Sequence, residues 1–225
     1  MTGMEELHHM VLFRDLTDAE FAQLAKLVIV HPCTRGEYIF MEGQAREFVY
    51  FVKRGLVKIF KVDAEGRENI VNILGAKAMF PHAGLFDDSP YPGTAEALVD
   101  GVLYAISIYK FEELLQQHPD MMRKMLRVLG HMILRLQTKL QEVSVFDAKE
   151  RVGALLWHLV DEHGRAGADG IHLSLPITHT EMARMIALSR ESVNRTWNEF
   201  RREGIVVGDK DDWIVSREWF DRFRR

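Results

Sequence analysis

Cysteine is almost missing: Cys33 stands alone among 225 residues. One thiol excludes an internal disulfide, and it excludes an iron–sulfur cluster or structural zinc held by several cysteines of one chain. Long apolar runs are missing too. No stretch approaches the roughly 20 apolar residues that a membrane-crossing helix needs. The opening residues MTGMEELHHM carry neither the basic nor the apolar region of an export signal, so the expected location is cytoplasmic. A basic surplus is also absent, since the net charge is −4 and residues 145–225 hold 13 Lys+Arg against 14 Asp+Glu. That excludes a general nucleic-acid coat, which needs excess positive charge. It leaves room for a local patch, here Arg184, Arg190, Arg195, Arg201 and Arg202. There is no Ser/His/Asp set and no phosphate-cradling glycine loop, and His163, His172 and His179 lack metal-site spacing. No enzyme site and no cluster of metal-ligating side chains is visible in these patterns.

What is present describes a globular chain, 47% apolar and 28% charged, long enough for one large core or two modest ones. Thr17 before DAEF marks a helix start, and Phe21, Leu24, Ala25 and Val28 form a stripe. From Tyr38 the period becomes that of strands: FVYFVKRG, LVKIFKVD, ENIVNILG, TAEALVD and VLYAIS, with Gly55, Gly66 and Gly101 at turns. Short strands between glycine turns suggest a closed or sandwich-like β-domain. Lys110 to Gln117 reads as a short helix ended by His118-Pro119.

From Asp120 the helical period is unusually regular. Met122, Leu126, Leu129, Ile133, Leu136, Leu140 and Val143 are spaced alternately four and three, the seam of a two-stranded coiled coil. The same helix could instead lie on its own β-domain, with Met125 and Met132 widening the stripe, and the two arrangements are compatible. Phe146-Asp147 ends the seam at an expected hinge. Ala148 to His163 is a further amphipathic helix with Val152, Leu155, Leu156 and Leu159 inward. GRAGADG reads as a loop, IHLSL as a strand, IVVGDKDDWIVS as a hairpin, and Trp219, Phe220 and Phe223 as part of a closing helix.

Residues 177–205 carry the chemistry. Thr178 can cap a helix with Met182, Met185 and Ile186 inward, Ala187-Leu188 interrupts it, and Ser189 can cap a second helix. On that helix Val193, Trp197 and Phe200 form one buried stripe, while Arg190, Glu191, Asn194 and Arg195 point outward. Two short helices joined by a tight turn, with the wing-like hairpin after them, describe a winged helix-turn-helix. Arginine forks match guanine O6/N7, a carboxylate accepts from cytosine N4, and asparagine pairs with adenine. Ser189 and the free N–H groups of the helix start suit a phosphate oxygen, and Thr178 is expected among the DNA-binding residues.

The segment Ser189-Arg190-Glu191-Ser192-Val193-Asn194-Arg195 resembles the DNA-binding motif of the catabolite activator/fumarate-nitrate regulator (CRP/FNR) family, and RGEYIFMEGQ through ENIVNILG resembles the β-roll of cyclic-nucleotide-binding domains. The resemblance implies an α+β chain: a cyclic-nucleotide-binding-like β-roll sensor domain over residues 1–118, a long dimerisation helix over 119–146, and a winged helix-turn-helix over 147–225. It implies a homodimer on double-stranded DNA, reading an inverted repeat with TGTGA-like half-sites, and RNA polymerase as a protein partner. Arg190, Glu191 and Arg195 stand at the three base-reading positions; Ala187 stands where many relatives have glycine. The effector pocket would involve His82, Gly84, Leu85, Phe86 and Thr94. Its phosphate-binding segment departs from the cyclic-AMP pattern, with His82 at the glutamate position and Gly93 at the arginine position, which argues against cyclic AMP. His82-Ala83-Gly84 also matches a motif of haem-dependent gas sensors in the family, whose second ligand would have to be sought at His8, His9 or Met10. An anion, a redox input or no effector are the other options. A ligand-binding module whose helical tail contacts protein instead of DNA is the alternative from a different class.

Overall fold

The computed structural model describes residues 4–209 and 211–223, apart from the side chains at 139 and 143. In chain order the elements are α1 (Glu5–His8), α2 (Asp18–Leu27), β1 (Ile29–Cys33), β2 (Tyr38–Phe40), β3 (Phe48–Arg54), β4 (Val57–Val62), β5 (Glu68–Leu74), β6 (Met79–Phe80), β7 (Thr94–Ala97) and β8 (Gly101–Ser107). There follow α3 (Ile108–Gln117), α4 (Pro119–Val145), α5 (Ala148–His163), β9 (Arg165–Ala166), β10 (Ile171–Ser174), α6 (His179–Met185), α7 (Arg190–Arg202), β11 (Val206–Asp209), β12 (Asp212–Val215) and α8 (Arg217–Phe223). Two compact units result, Met1–Lys61 with Val71–Leu134 and Val62–Ile70 with Arg135–Arg225, so the division falls inside α4. Among the described residues, no helix is long and apolar enough to cross a membrane.

The N-terminal unit is built on two four-stranded antiparallel sheets, β1-β8-β3-β6 and β2-β7-β4-β5. The two-residue period of strands assigns the faces. Val49 and Phe51 of β3, with Tyr104 and Ile106 of β8, pack on a helical layer that includes Leu7, Leu24, Phe111, Met121 and Met125. Their neighbours Tyr50, Val52, Leu103 and Ala105 face the other sheet's Phe40, Val57, Ala95 and Ala97. The expected cap at Thr17 is present: its hydroxyl accepts from Glu20 N (3.3 Å) and its N–H donates to the Glu20 carboxylate (2.8 Å). Strand β1 was not expected, because strand patterning begins only at Tyr38. It contains Pro32 and tolerates it as an edge strand, paired only with β8.

At the β4–β5 turn, the Asp63 carboxylate accepts from the backbone N–H groups of Glu65 (3.1 Å) and Arg67 (2.9 Å) and from Arg67 Nε (2.8 Å). The Arg67 backbone bond is the largest cause, with the Arg67 side chain next, of a carboxyl held down at about 2. A depressed carboxylate stabilises the fold fully above its unfolded value, near 4, and the contribution disappears as pH falls through about 2. Urea unfolding between pH 5 and pH 2 should therefore show the wild-type advantage over Asp63→Asn shrinking steadily with acid.

Helix α4 divides its apolar residues between two faces. Met121 and Met125 are buried in the helical layer, and Met122 and Leu129 are half-buried against it. Leu126 (61%), Ile133 (57%), Leu136 (56%) and Leu140 (70%) are exposed in the single chain. Val143, the last seam residue, has its side chain outside the described residues.

In the second unit, α5 buries Val152, Leu155, Leu156 and Leu159 as its spacing required, and starts at a capping box made by Asp147 and Glu150. The sheet order is β11-β12-β10-β9. The last of these is a two-residue strand inside the stretch expected to be only a loop; β10 supplies its pairing partners Ile171 and His172. Phe220 of α8 stacks on Trp157 of α5, with centroids 5.6 Å apart and planes 10° from parallel.

Candidate nucleic-acid interface and effector pocket

Local hydrogen bonds shape the helix pair. Thr178 caps α6, accepting from Glu181 N (3.2 Å) and donating its own N–H to the Glu181 carboxylate (2.7 Å). After Met185 the chain turns through Ile186 to Ala187, which sits at φ +53°, and Leu188 N donates to Ala183 O (2.9 Å). Ser189 caps α7 by accepting from Ser192 N (3.2 Å). A left-handed alanine carries a strain of about 1–2 kcal/mol that glycine avoids, offset partly by glycine's greater unfolded freedom. Ala187→Gly should therefore raise stability by about 1 kcal/mol, read as a higher urea midpoint with an unchanged slope.

The buried stripe of α7 is as its spacing demands: Val193, Trp197 and Phe200 are all buried, and Trp197 meets Trp213 of β12 edge-on at 5.1 Å and 63°. Arg190, Glu191 and Arg195 are exposed, and among the described residues no hydrogen bond or ion pair engages them. Asn194 differs from expectation. It is half-buried, and its amide oxygen accepts from His179 Nδ1 across the helix pair, because α6 lies over that flank of α7. Three arginines of the expected basic patch are also committed: Arg184 donates to Glu68 O (3.0 Å), Arg201 to Gly208 O (2.9 Å) and Arg202 Nε to Asn198 O (3.3 Å).

In the β-roll, part of the expected effector segment, residues 83–87, folds over an arginine that sequence reading missed. The Arg46 side chain, only 4% exposed, donates from Nη1 to Ala83 O (3.1 Å) and from Nη2 to the carboxylate of Asp87 (2.9 Å) and to its backbone oxygen. Gly84 lies directly beneath the guanidinium at φ +87°, where a Cβ would collide with it. Phe86 holds φ +63° and donates its N–H to the Glu112 carboxylate (2.7 Å), while Leu85 packs against the helical layer. Thr94 is buried and accepts from Glu42 N (3.1 Å). His82 is half-buried and has an interaction of its own. The only sequence signal for Arg46 was an arginine just before an apolar strand, and its partners lie 37 to 41 residues away.

Gly93 supplies no cation, and a Cβ there would already be 3.1 Å from Phe60 O. For haem, two of the three possible second ligands are committed to packing. Met10 is buried in the helical layer, and His8 lies against Phe21 (4.4 Å) with Nε2 3.2 Å from Leu16 O. Burial is the main cause that pushes the Cys33 thiol up, away from the reactive thiolate. Among the described residues no group of three or more His, Cys, Asp or Glu could hold a metal ion.

Residues 30–118 match the cyclic nucleotide-binding domain and residues 150–219 the Crp-like helix-turn-helix domain. The pair defines a DNA-binding regulator with an attached sensor-type domain and not an enzyme. The "CRP-like cAMP-activated global transcriptional regulator" of Mycobacterium tuberculosis is 25% identical over 91% of this chain and 92% of its own. The "Global nitrogen regulator" of Synechocystis is 28% identical over 79% of this chain and 80% of its own. FixK2 from Bradyrhizobium japonicum shares the fold with a TM-score of 0.76 at 19% identity, over 87% of this chain and 96% of that one. The chain belongs to the CRP/FNR family of transcription regulators.

Proposed function

We propose that the protein acts as a homodimer that reads an inverted repeat, and that cyclic AMP does not gate it. The observation that carries this reading is the start of α7. Arg190, Glu191 and Arg195 stand exposed and unengaged there, on a helix whose other side is locked by Val193, Trp197 and Phe200. Arg190 and Arg195 would take guanines and Glu191 a cytosine, which favours half-sites like TGTGA. Ser189 and the free N–H groups at the start of α7 would meet phosphate, and Thr178 at the start of α6 would add a further DNA contact. A twofold reader needs two such helices about one duplex turn apart. The exposed line Leu126, Ile133, Leu136 and Leu140 supports pairing along α4, with Met122 and Leu129 at its inner edge. A DNA partner is consistent with a cytoplasmic location, and RNA polymerase would be the protein contact of a bound dimer.

Independence from cyclic AMP is supported by the crowded, uncharged Gly93 and by the prior commitment of Thr94. Selection from a randomised duplex pool, repeated with and without cyclic AMP, tests the reading. An inverted repeat should be enriched equally in both arms. Enrichment only with the nucleotide would refute the gating claim, and no enrichment in either would refute the DNA claim.

A further inference from the structure

The contact that turns Asn194 away from solvent involves a residue outside the expected interface. Asn194 precedes Trp197 by three residues, which puts it about 60° round the helix from the buried stripe. Its amide oxygen can only accept, so the Nδ1 of His179 must carry the ring proton in their hydrogen bond. The same imidazole lies on the indole of Trp197, with centroids 5.3 Å apart and planes at 53°. Trp197 Nε1 is buried without a hydrogen-bond partner among the described residues, so ring packing against His179 and Trp213 is what orients the indole. His179 is the first residue of α6, and through these contacts one side chain ties the start of that helix to the middle of α7.

Resting on the reading of α7 as the helix that enters the groove, we infer that His179 is a positioning residue that sets the angle of α7 against α6. Asn194 is its anchor and not a reader of bases. A reader acts at one base pair, whereas a brace acts on every contact of the helix together.

The test uses the full chain, selection from a randomised duplex pool, and anisotropy on the duplex that wins. Asn194→Ala and His179→Ala should each weaken binding about tenfold, the usual scale for coupled neighbours, without changing the order of preferred bases. The double variant should be no weaker than either single one. His179→Asn places an amide nitrogen where Nδ1 was and should recover most of the loss, whereas His179→Gln should not. A histidine that only filled space would not separate those two. The inference is overturned if Asn194→Ala keeps its affinity but loses preference at one base pair, if the two losses add, or if glutamine rescues as well as asparagine. Thermal unfolding of the free protein separates this from failure of the DNA reading. Non-additive unfolding midpoints for the two positions, in a protein that selects no duplex, refute the DNA assignment and support the brace. Additive midpoints refute the brace whatever the DNA result.

Discussion

Replacing both Leu136 and Leu140 by glutamate should convert the protein to a monomer and abolish tight DNA binding. Both side chains are more than half exposed in the single chain, on a line they share with Leu126 and Ile133. An apolar stripe of that length on one helix is stable in water only when covered. A dimer seam would bury two leucines per chain, four per dimer, each worth about 2 kcal/mol. Losing all four should cost about 8 kcal/mol, on the order of a millionfold in the dimer dissociation constant, before the like charges brought together are added. Sedimentation should show the change directly, while near-ultraviolet circular dichroism of the tryptophans should stay as in the wild type. Trp157 packs on Phe220, Trp197 on Trp213 and Trp219 on Phe200, ring contacts that involve neither substituted leucine. A double variant that still sediments as a dimer would place the twofold contact elsewhere.

Arg195→Ala carries the second large effect. The guanidinium is exposed, and among the described residues nothing competes for its donors, so its removal leaves no buried group unpaired. The expected loss is about 1–3 kcal/mol per half-site, suffered twice by a dimer, together with relaxed preference at the base pair it reads. Stability should hardly move. Affinity would also become less salt-dependent if the side chain touched phosphate instead; an unchanged preference with a shallower salt slope would reassign Arg195 from base to backbone.

What the sequence disclosed follows the range of the interaction. Caps at Thr17, Thr178 and Ser189 depend on partners three residues away, and all three were legible. The stripe Val193, Trp197 and Phe200 was legible because burial of one helix face repeats with the helix period. The strained turn at Ala187 could be anticipated only through the resemblance, which puts glycine at that position in many relatives. Longer-range choices were hidden. Asn194 has an outward spacing only while α7 is considered alone, and α6 covers that flank. Arg46 reads as a surface arginine until residues 83–87 fold over it. Strand β1 is masked by Pro32, acceptable only because the strand lies at an edge.

The most direct measurement is the mass and geometry of the complex on duplexes carrying one selected half-site, or two in inverted orientation with their centres one turn apart. Two chains should bind the inverted pair together, with little binding to the single half-site, and shifting one half-site by half a turn should abolish the complex. One chain bound equally well to either duplex, or indifference to the half-turn shift, would contradict a paired reader built on α4 and α7.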